Sequence, residues 1–246
     1  MSSTDPQTAG PDVLVRRAVP EDAADCAEVV IAARRGAGRA FPPPVHTVEE
    51  DRAFFAGRVC DHEVWVAEIA GEVVGHLDLD GHWVHSLYVH PRAQARGVGA
   101  ALLDLAKACR PEGFGLWVFS TNEGARAFYR RQGLLELETT DGSANEEKAP
   151  DVRMVWPGPD PLAFLRHQID LVDEELAAVV NRRVALTAAV QAVKDTPGHA
   201  GRDPEREAEI AARLASRTPG LDASDWTPVV HRLVETGLDV AERRRR

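Results

Sequence analysis

The chain has 246 residues, of which 44% are hydrophobic and 28% charged, the composition of an ordinary globular protein with room for two small domains or one large one. Its net charge of −10 argues against a general binder of nucleic acid or of anionic membranes. The polar start lacks the features of a signal peptide and no run of about 18 apolar residues exists, so we predict a cytoplasmic protein that does not span a membrane.

Up to about Trp156, short β-forming runs alternate with helical stretches. Gly71 and the Asp-Gly pair at 80–81 are typical of hairpin turns, and Thr47 with Glu50 forms a capping-box pattern. The predicted strands are 13–18, 63–69, 72–80, 83–89, 114–119 and 152–156. The predicted helices of this part are 21–35, 47–58, 98–109 and 123–132.

A glycine-rich turn follows the fourth predicted strand, where residues 94–99 read Q-x-x-G-x-G before an amphipathic helix. Glycines at a strand-to-helix junction let backbone N–H groups and the helix N-terminus face a phosphate. A Rossmann fingerprint would need glycine at position 102, which is Leu102, and the Gly-Lys-Ser/Thr of a P-loop is absent. On its own the motif is more often a plain turn than a phosphate-binding loop.

Together with "LWVFSTNEGARAFYRRQGL", this motif resembles the GNAT superfamily of N-acetyltransferases over about residues 13–156. The resemblance implies an α+β fold, with a mixed, mostly antiparallel sheet flanked by helices, and acetyl-CoA as co-substrate. Tyr129 would protonate the departing thiolate, the alternative being an aromatic ring packed beside Phe128. The residues implied to bind the cofactor are Leu87, Val89, Gln94, Arg96, Gly97, Val98, Gly99 and Asn122.

The general base of this half is not specified by a motif. His85 is the first candidate, with His76, Asp78 or Asp80 on the preceding hairpin strand as alternatives. Deprotonation of the amine through water is equally compatible with the resemblance. The polar stretch 139–151 is interpreted as a solvated loop, and the acceptor amine is left open.

The three cysteines, Cys26, Cys60 and Cys109, are odd in number and widely spaced. This pattern favours reduced thiols over a disulfide framework or a metal site, and we expect no metal ion in the protein.

A breaker cluster at 157–161, "PGPDP", predicts a linker, after which no strand pattern follows. We therefore predict a disordered tail at 1–12, a first domain at 13–157, a linker at 158–161 and a helical domain at 162–246. Its three helices are placed at about 162–194, 204–216 and 225–243. Asp203 before Pro204 is typical of a helix start, and Pro228 is expected to break any helix begun as early as Asp222, so Ser224 starts the third.

The first of these helices would be roughly 50 Å long. Its apolar positions recur in steps of three and four, at Leu162, Leu165, Ile169, Val172, Leu176, Val179, Leu186, Val190 and Val193. Two helices of about half that length cannot cover this apolar stripe, so we expect a homodimer in which a second copy covers it.

One position in this stripe is occupied by Arg183. A single arginine there could fix the register of a coiled coil or pair with a neighbouring carboxylate. Lys194, however, lies only about 20° from Arg183 around the helix, and Arg166 lies roughly 100° away, toward the other subunit. Because a buried unpaired cation costs several kcal/mol, several converging cations indicate an anionic ligand with more than one carboxylate.

"LRHQIDLVDEEL", Arg183, Lys194 and "RDPERE" together resemble the all-helical class of chorismate mutases over about residues 160–243. The resemblance implies an intertwined dimer with two sites and no cofactor. In each site Arg183 and the partner-supplied Arg166 would face the substrate carboxylates, and Lys194 would also contact the ether oxygen. The remaining implied site residues are Arg206, beside the substrate, and Asp203 and Glu207, at its hydroxyl group.

The sequence departs from this family near the end of the third helix. Ala241 stands where a Gln or Glu usually reaches the ether oxygen, and Gly237 where a small hydroxyl residue is common. The sequence thus predicts a fusion of an N-acetyltransferase with a chorismate mutase of aromatic amino acid biosynthesis, acting on small molecules without a nucleic-acid or membrane partner. The alternatives are a helical domain that senses a metabolite or only dimerises the chain, and an acetyltransferase fold that holds CoA without catalysis.

Overall fold

A computed structural model describes residues 12–194, 202–218 and 220–245 of the chain. The predicted disordered tail lies outside the described residues except for Asp12. The chain forms two compact units, Met1–Phe164 and Leu165–Arg246.

The first unit is built on one seven-stranded sheet with the strand order β1-β2-β3-β4-β5-β7-β6. The strands are β1 Leu14–Arg17, β2 Glu63–Ile69, β3 Glu72–Asp80, β4 Trp83–Val89, β5 Phe114–Phe119, β6 Leu135–Thr139 and β7 Asp151–Trp156. All neighbouring pairs are antiparallel except β4 and β5, which are parallel. The four helices of this unit are α1 Ala23–Ala37, α2 Val48–Asp61, α3 Val98–Cys109 and α4 Glu123–Arg131. The predicted mixed, mostly antiparallel sheet flanked by helices is confirmed.

Six of the seven strands lie where the sequence patterns placed them, and the missed one is β6. Its two leucines, Leu135 and Leu137, are exposed, and β6 pairs with a single neighbour, β7. An edge strand of this kind has no buried face, so it lacks the alternation from which a strand is predicted. The predicted capping box is present, since Thr47 and Glu50 exchange both hydrogen bonds.

Separate cores cover the two faces of the sheet. On one face, α3 packs Leu102 and Leu103 into a cluster with Leu77, Phe114 and Met154 of the strands. On the other face, α1 and α2 form a cluster with β2. Leu102 is completely buried in the first cluster, so the residue that excludes a Rossmann fingerprint serves to dock α3 on the sheet.

The regular structure in the described part of the second unit is helical, as predicted, and consists of α5 Pro161–Lys194, which begins in the first unit, α6 Pro204–Ala215 and α7 Ala223–Arg245. Asp203 caps α6 as expected, because its Oδ1 accepts a hydrogen bond from the Arg206 backbone N–H at 3.0 Å. The expectation for Pro228 was wrong, since α7 begins at Ala223 and continues through it. Pro228 is the sixth residue of α7, so its missing N–H removes one intrahelical hydrogen bond, to the Ser224 carbonyl, while the first four N–H groups have no intrahelical acceptor in any case.

The residues of α5 differ in how far the chain itself covers them. The face that packs within the chain includes Val184 and Thr187, and Thr187 meets α7 where a Cβ on Gly237 would lie 2.9 Å from its Oγ1. The apolar stripe stays exposed in the single chain, at Leu162, Ile169, Val172, Leu176, Val179, Leu186, Val190 and Val193. The stripe is therefore not buried by the other described helices of its own chain.

By length and composition alone, α5 could also cross a membrane, because one 18-residue window has a mean hydropathy of 1.3. A single helix of this kind is a weak indication, since core helices of soluble proteins and signal sequences meet the same criterion.

Candidate functional site

The strands β4 and β5 pair at one point only. Trp83 pairs with Gly115, and the Gly115 N–H donates to the His82 carbonyl at 2.9 Å. Past this pair the two strands diverge, and a cleft of about 1030 Å³ is lined by Leu87 and Val89 of β4 and by residues 116–119 of β5. The edge of β4 that faces β5 is thereby open to an extended ligand, which could take the place of a strand.

The cleft reaches the N-terminus of α3. Gly97 caps this helix with a φ of +86°, a conformation that favours glycine. The first N–H groups of α3, from Val98 to Ala100, have no intrahelical acceptor and carry the positive end of the helix dipole. At Gly99 a Cβ would lie 3.3 Å from Phe128 Cζ, so the second glycine permits close packing of α3 on α4. This cradle fits the pyrophosphate of a nucleotide cofactor.

The other predicted residues of this loop have distinct placements. Gln94 donates from Nε2 to the Val89 carbonyl at 3.1 Å, which ties the loop to the end of β4. Arg96 is exposed. Val98 is buried in the core, so only its backbone N–H can serve a ligand.

Tyr129 and Asn122 line the same cleft. Tyr129 is nearly buried, and burial raises the pKa of its hydroxyl above the usual range, with the nearby Tyr88 adding to the effect. The hydroxyl therefore keeps its proton at physiological pH. The centroid of the Tyr129 ring also lies 5.2 Å from that of the Phe128 ring, so Tyr129 both packs against Phe128 and lines the cleft. Asn122 caps α4, because its Oδ1 accepts from the Ala125 N–H at 3.1 Å.

Of the four candidate general bases, only His85 lines the cleft. It is exposed and lies at the bulge in β4, opposite the register shift between Asp78 and Leu79. The structure places two alternatives in the core instead. His76 is fully buried, and this burial lowers its pKa to about 3, while Asp78 is fully buried in an ion pair with Arg58 at 2.7 Å. Asp80, at the end of β3, is exposed and does not line the cleft.

The loop between β6 and β7 forms a second wall of the cleft, contrary to its interpretation as a merely solvated segment. Thr140, Asn145 and Glu147 line the cleft. The Asn145 side chain donates to the Ala149 carbonyl at 2.8 Å and to Asp151 Oδ2 at 3.0 Å, which fixes the loop. Short polar side chains of this type often bind loop backbone, the one signal in the sequence that could have indicated an ordered wall.

The structure places Arg183 at the edge of the packed face of α5. Its Nη1 is buried and has no hydrogen-bond acceptor among the described residues. At about 100° per residue, Arg183 falls between Thr187 of the packed face and Val179 of the exposed stripe, and Lys194 falls about 20° from Arg183. Lys194 is the last residue of α5 and is exposed. Both cations therefore lie on the side of α5 that carries the apolar stripe.

Glu207 on α6 lies close to Arg183. Arg202 donates to both of its carboxylate oxygens, at 2.7 and 3.0 Å, and His231 Nδ1 lies 3.4 Å away. The pKa of Glu207 is lowered mainly by the Arg202 hydrogen bond, against burial, with the charges of Arg202, His231 and Arg183 adding to it. Arg202 also lies 3.5 Å from Glu235 on α7. Arg202, His231 and Glu235 were not predicted as members of this cluster.

The other predicted mutase residues are not gathered around Arg183 in the single chain. Arg206 is exposed and pairs with Glu209 at 2.8 Å, and Asp203 is engaged in capping α6. Arg166 lies 17 residues before Arg183, which is about 25 Å along the axis of α5, so it cannot reach the same ligand from the same chain. Ala241 is buried and offers no polar group.

The comparisons with known proteins match the two units separately. The family model "Acetyltransferase (GNAT) domain" matches residues 60–133, and the model "Chorismate mutase type II" matches residues 165–241. An uncharacterized N-acetyltransferase of Archaeoglobus fulgidus is 37% identical over 98 residues, which cover 34% of this chain and 66% of the relative. Peptidyl-lysine N-acetyltransferase YiaC of Escherichia coli is 30% identical over 94 residues, 38% of this chain and 62% of the relative.

Among solved structures, a GCN5-related N-acetyltransferase of Rhodopseudomonas palustris has a TM-score of 0.50 and 25% identity, covering 63% of this chain and 99% of that one. The chain spans about two thirds or less of the length of the curated relatives it matches. The two matched families are families of enzymes, one of transferases and one of isomerases. The chain thus combines an acetyltransferase domain of the GNAT family with a chorismate mutase domain of type II.

Proposed function

We propose that the protein is a bifunctional cytoplasmic enzyme, which transfers the acetyl group of acetyl-CoA to an amine and rearranges chorismate to prephenate for aromatic amino acid biosynthesis. The first activity is supported by the cleft between β4 and β5, which ends at the glycine turn before α3. The second is supported above all by the buried, unpartnered Nη1 of Arg183 at the edge of an uncovered apolar helix face.

In acetyl transfer, the open edge of β4 would bind the extended arm of the cofactor, and the α3 N-terminus would bind its pyrophosphate. The amine nitrogen attacks the thioester carbonyl carbon, a C–N bond forms and the C–S bond breaks. The thiolate receives a proton from Tyr129, whose raised pKa keeps it protonated. The proton of the amine leaves through His85 or water.

In the rearrangement, one C–O bond breaks and one C–C bond forms within the substrate, so no group is transferred to the protein. The site has to hold a flexible dianion in its reactive conformation and stabilise the negative charge that grows on the ether oxygen. Arg183 would bind a carboxylate, and Lys194 would face the ether oxygen from the same side of α5. Glu207, ionised beside Arg202, would accept a hydrogen bond from the substrate hydroxyl.

A homodimer would complete this site. The stripe on α5 exposes eight apolar side chains that a second α5 could cover, and Arg166 is too far along the helix to serve its own chain. Each site would then combine Arg183 and Lys194 of one protomer with Arg166 of the other.

Gly97→Glu is expected to weaken binding of acetyl-CoA at least tenfold, because it adds a side chain at positive φ and a negative charge where the pyrophosphate would lie. The thermal stabilisation by acetyl-CoA should fall accordingly, by about 1.4 kcal/mol per tenfold loss. Gly71→Glu is the matched control, because Gly71 has a φ of +79° in a hairpin that does not line the cleft. Equal protection of the two variants would contradict the loop assignment.

Tyr129→Phe is expected to lower kcat for acetyl transfer about tenfold with little change in the KM for acetyl-CoA. The effect is smaller than for many general acids because a thiol of pKa about 8.5 is already a fair leaving group. Steady-state kinetics with Tyr88→Phe as control test this, since Tyr88 is the other tyrosine of the chain and lines the same cleft. Loss of kcat in Tyr88→Phe alone would transfer the role to Tyr88.

A second candidate function is favoured by Ala241, which leaves the buried end of α7 without the polar side chain typical of the family. On this alternative, the helical domain binds a dianion as a sensor and does not catalyse. Following chorismate absorbance and, separately, titrating prephenate by calorimetry distinguishes the two. Turnover of chorismate supports the enzyme, and prephenate binding without turnover supports the sensor. If neither turnover nor binding is found, the helical domain serves only for dimerisation.

A further inference from the structure

An aromatic surface forms one wall of the cleft on β5. Trp117 and Phe119 alternate with the core residues Leu116 and Val118, so both rings lie on the face of the sheet opposite α3. Both line the cleft, and Trp117 is 44% exposed. A tryptophan with that much exposed area inside a cleft is available for contact with a ligand.

Neighbouring rings fix the orientation of this surface. The Trp83 and Trp117 planes are within 4° of parallel, with centroids 6.4 Å apart, and Arg153 lies over Trp83 at 5.3 Å. The Phe41 ring meets that of Phe119 edge-on at 5.6 Å. The surface formed by Trp83, Trp117, Phe119 and Phe41 is therefore ordered before any ligand binds, which lowers the entropic cost of binding a flat group.

A carboxylate lies beside this surface. Asp151 on β7 pairs directly with Phe119, so their side chains share a face, and Asp151 is a diagonal neighbour of Trp117, at about 7–8 Å. Asp151 is 9% exposed and lines the cleft. Its carboxylate is bound by neutral donors, the Thr140 hydroxyl and the Asn145 amide.

Among the residues that the structure describes, no lysine, arginine or histidine forms an ion pair with Asp151. Within the described part of the chain, the Asp151 carboxylate therefore lacks a protein counter-ion at the cleft wall, and Glu147 adds a second carboxyl group to the same cleft. A nearly buried negative charge of this kind attracts a cation that carries N–H donors.

We propose that the acceptor is a primary amine joined to a planar aromatic ring by a short carbon chain. The ring stacks on Trp117, and the ammonium group approaches Asp151 before it loses a proton and attacks the thioester. A chain of two or three carbons spans about 4–5 Å from the ring to the nitrogen, and the hydrogen bond of about 2.8 Å from the ammonium to the carboxylate supplies the rest of the diagonal separation. This inference rests on the proposed acetyl transfer and specifies its acceptor.

The test compares 2-phenylethylamine with 2-cyclohexylethylamine, which has the same chain and charge but a puckered, non-aromatic ring, and with a lysine-containing peptide. We expect kcat/KM to favour phenylethylamine at least tenfold over both. Trp117→Leu should remove this preference and Trp117→Phe should restore most of it, because only the latter keeps an aromatic face. Asp151→Asn should raise the KM for phenylethylamine about tenfold and leave protection by acetyl-CoA unchanged.

Direct binding separates this inference from the acetyl-transfer proposal. Calorimetric titration of each amine into the protein saturated with CoA measures acceptor recognition without turnover. Tighter binding of phenylethylamine that depends on Trp117 supports the inference about the acceptor. If this binding occurs without any detectable acetylation, only the proposed acetyl transfer is contradicted. Equal binding of the two ring amines, or preference for the lysine peptide, overturns the inference while acetyl transfer stands.

Discussion

We expect Arg183→Ala to lower the turnover of chorismate by about 100- to 1000-fold, the loss typical of removing one preorganised charge from an electrostatic site. The Nη1 of Arg183 is buried without a protein acceptor, a state that costs free energy unless a ligand supplies the missing partner. A substrate carboxylate would supply it. The measurement is the decay of chorismate absorbance under steady-state conditions.

The neighbouring arginine gives a matched control for this prediction. Arg182 is exposed and lies about 100° around α5, so Arg182→Ala removes the same charge from the same turn and should change turnover less than about threefold. Arg183→Lys should recover only part of the activity, because an ammonium lacks the fork that binds a carboxylate through two parallel bonds. Equal activity of the two alanine variants would exclude Arg183 from the site.

The thermal stability of the same variant distinguishes a binding role from a structural one. A structural ion pair, once broken by Arg183→Ala, would leave a buried charge behind and lower the free energy of unfolding by about 3–5 kcal/mol. If Arg183 serves a ligand instead, its removal relieves the unsatisfied Nη1 and loses only the charge interaction with Glu207, so the melting temperature without ligand should fall far less than that. A large loss of stability would indicate that Arg183 holds the helices together.

Strong local patterns in the sequence predicted most of the fold. The runs that became β2, β3, β4 and β5 alternate or are continuously apolar, and the hairpin glycines Gly71 and Gly81 adopt the positive φ that such turns need. The glycine turn at Gly97 was likewise identifiable, because only a few conformations join a strand to a helix in that spacing. These features depend on neighbours in sequence.

Features that depend on tertiary contacts were not predicted. The aromatic wall needs the pairing of β5 with β7, which brings Asp151 beside Phe119 from more than thirty residues away. The cluster around Glu207 needs α6 and α7 to place Arg202 and His231 on one carboxylate. In the sequence, Asp151, Arg202 and His231 look like ordinary polar surface residues, because a charged side chain on a protein is usually solvated.

The apolar stripe of α5 was predicted as a pattern, together with the expectation that a second copy of the chain covers it. Helical periodicity reports that one face avoids water and does not say which molecule covers it. Within the described part of the chain, α5 packs on α7 through Thr187 and Gly237, while the stripe residues stay exposed. The exposed stripe therefore still has to be covered by another molecule, and a substitution in the stripe can test whether that molecule is a second copy of the chain.

We expect Val172→Glu to convert the dimer to a monomer and to abolish chorismate turnover. Val172 lies in the exposed stripe, and a symmetric interface would bury the new carboxylate twice, at several kcal/mol for each copy, enough to weaken dimerisation more than about 1000-fold. Ala177→Glu is the control, since Ala177 is also exposed but lies about 140° around the helix. Light scattering after size exclusion reads the mass, and a dimeric Val172→Glu would contradict the assigned interface.

Mixing two inactive variants tests the shared site more directly. In a heterodimer of Arg166→Ala with Arg183→Ala, one site receives both altered residues and the other receives Arg183 from the first protomer and an intact Arg166 from the second. Because random exchange makes half of the dimers mixed, and each mixed dimer has one intact site of two, turnover should recover to about a quarter of the wild-type value. The opposite outcome would follow if Arg166 served its own chain, despite the 25 Å between the two arginines along the helix. Every site in the mixture would then lack one of the two arginines, and no activity would return.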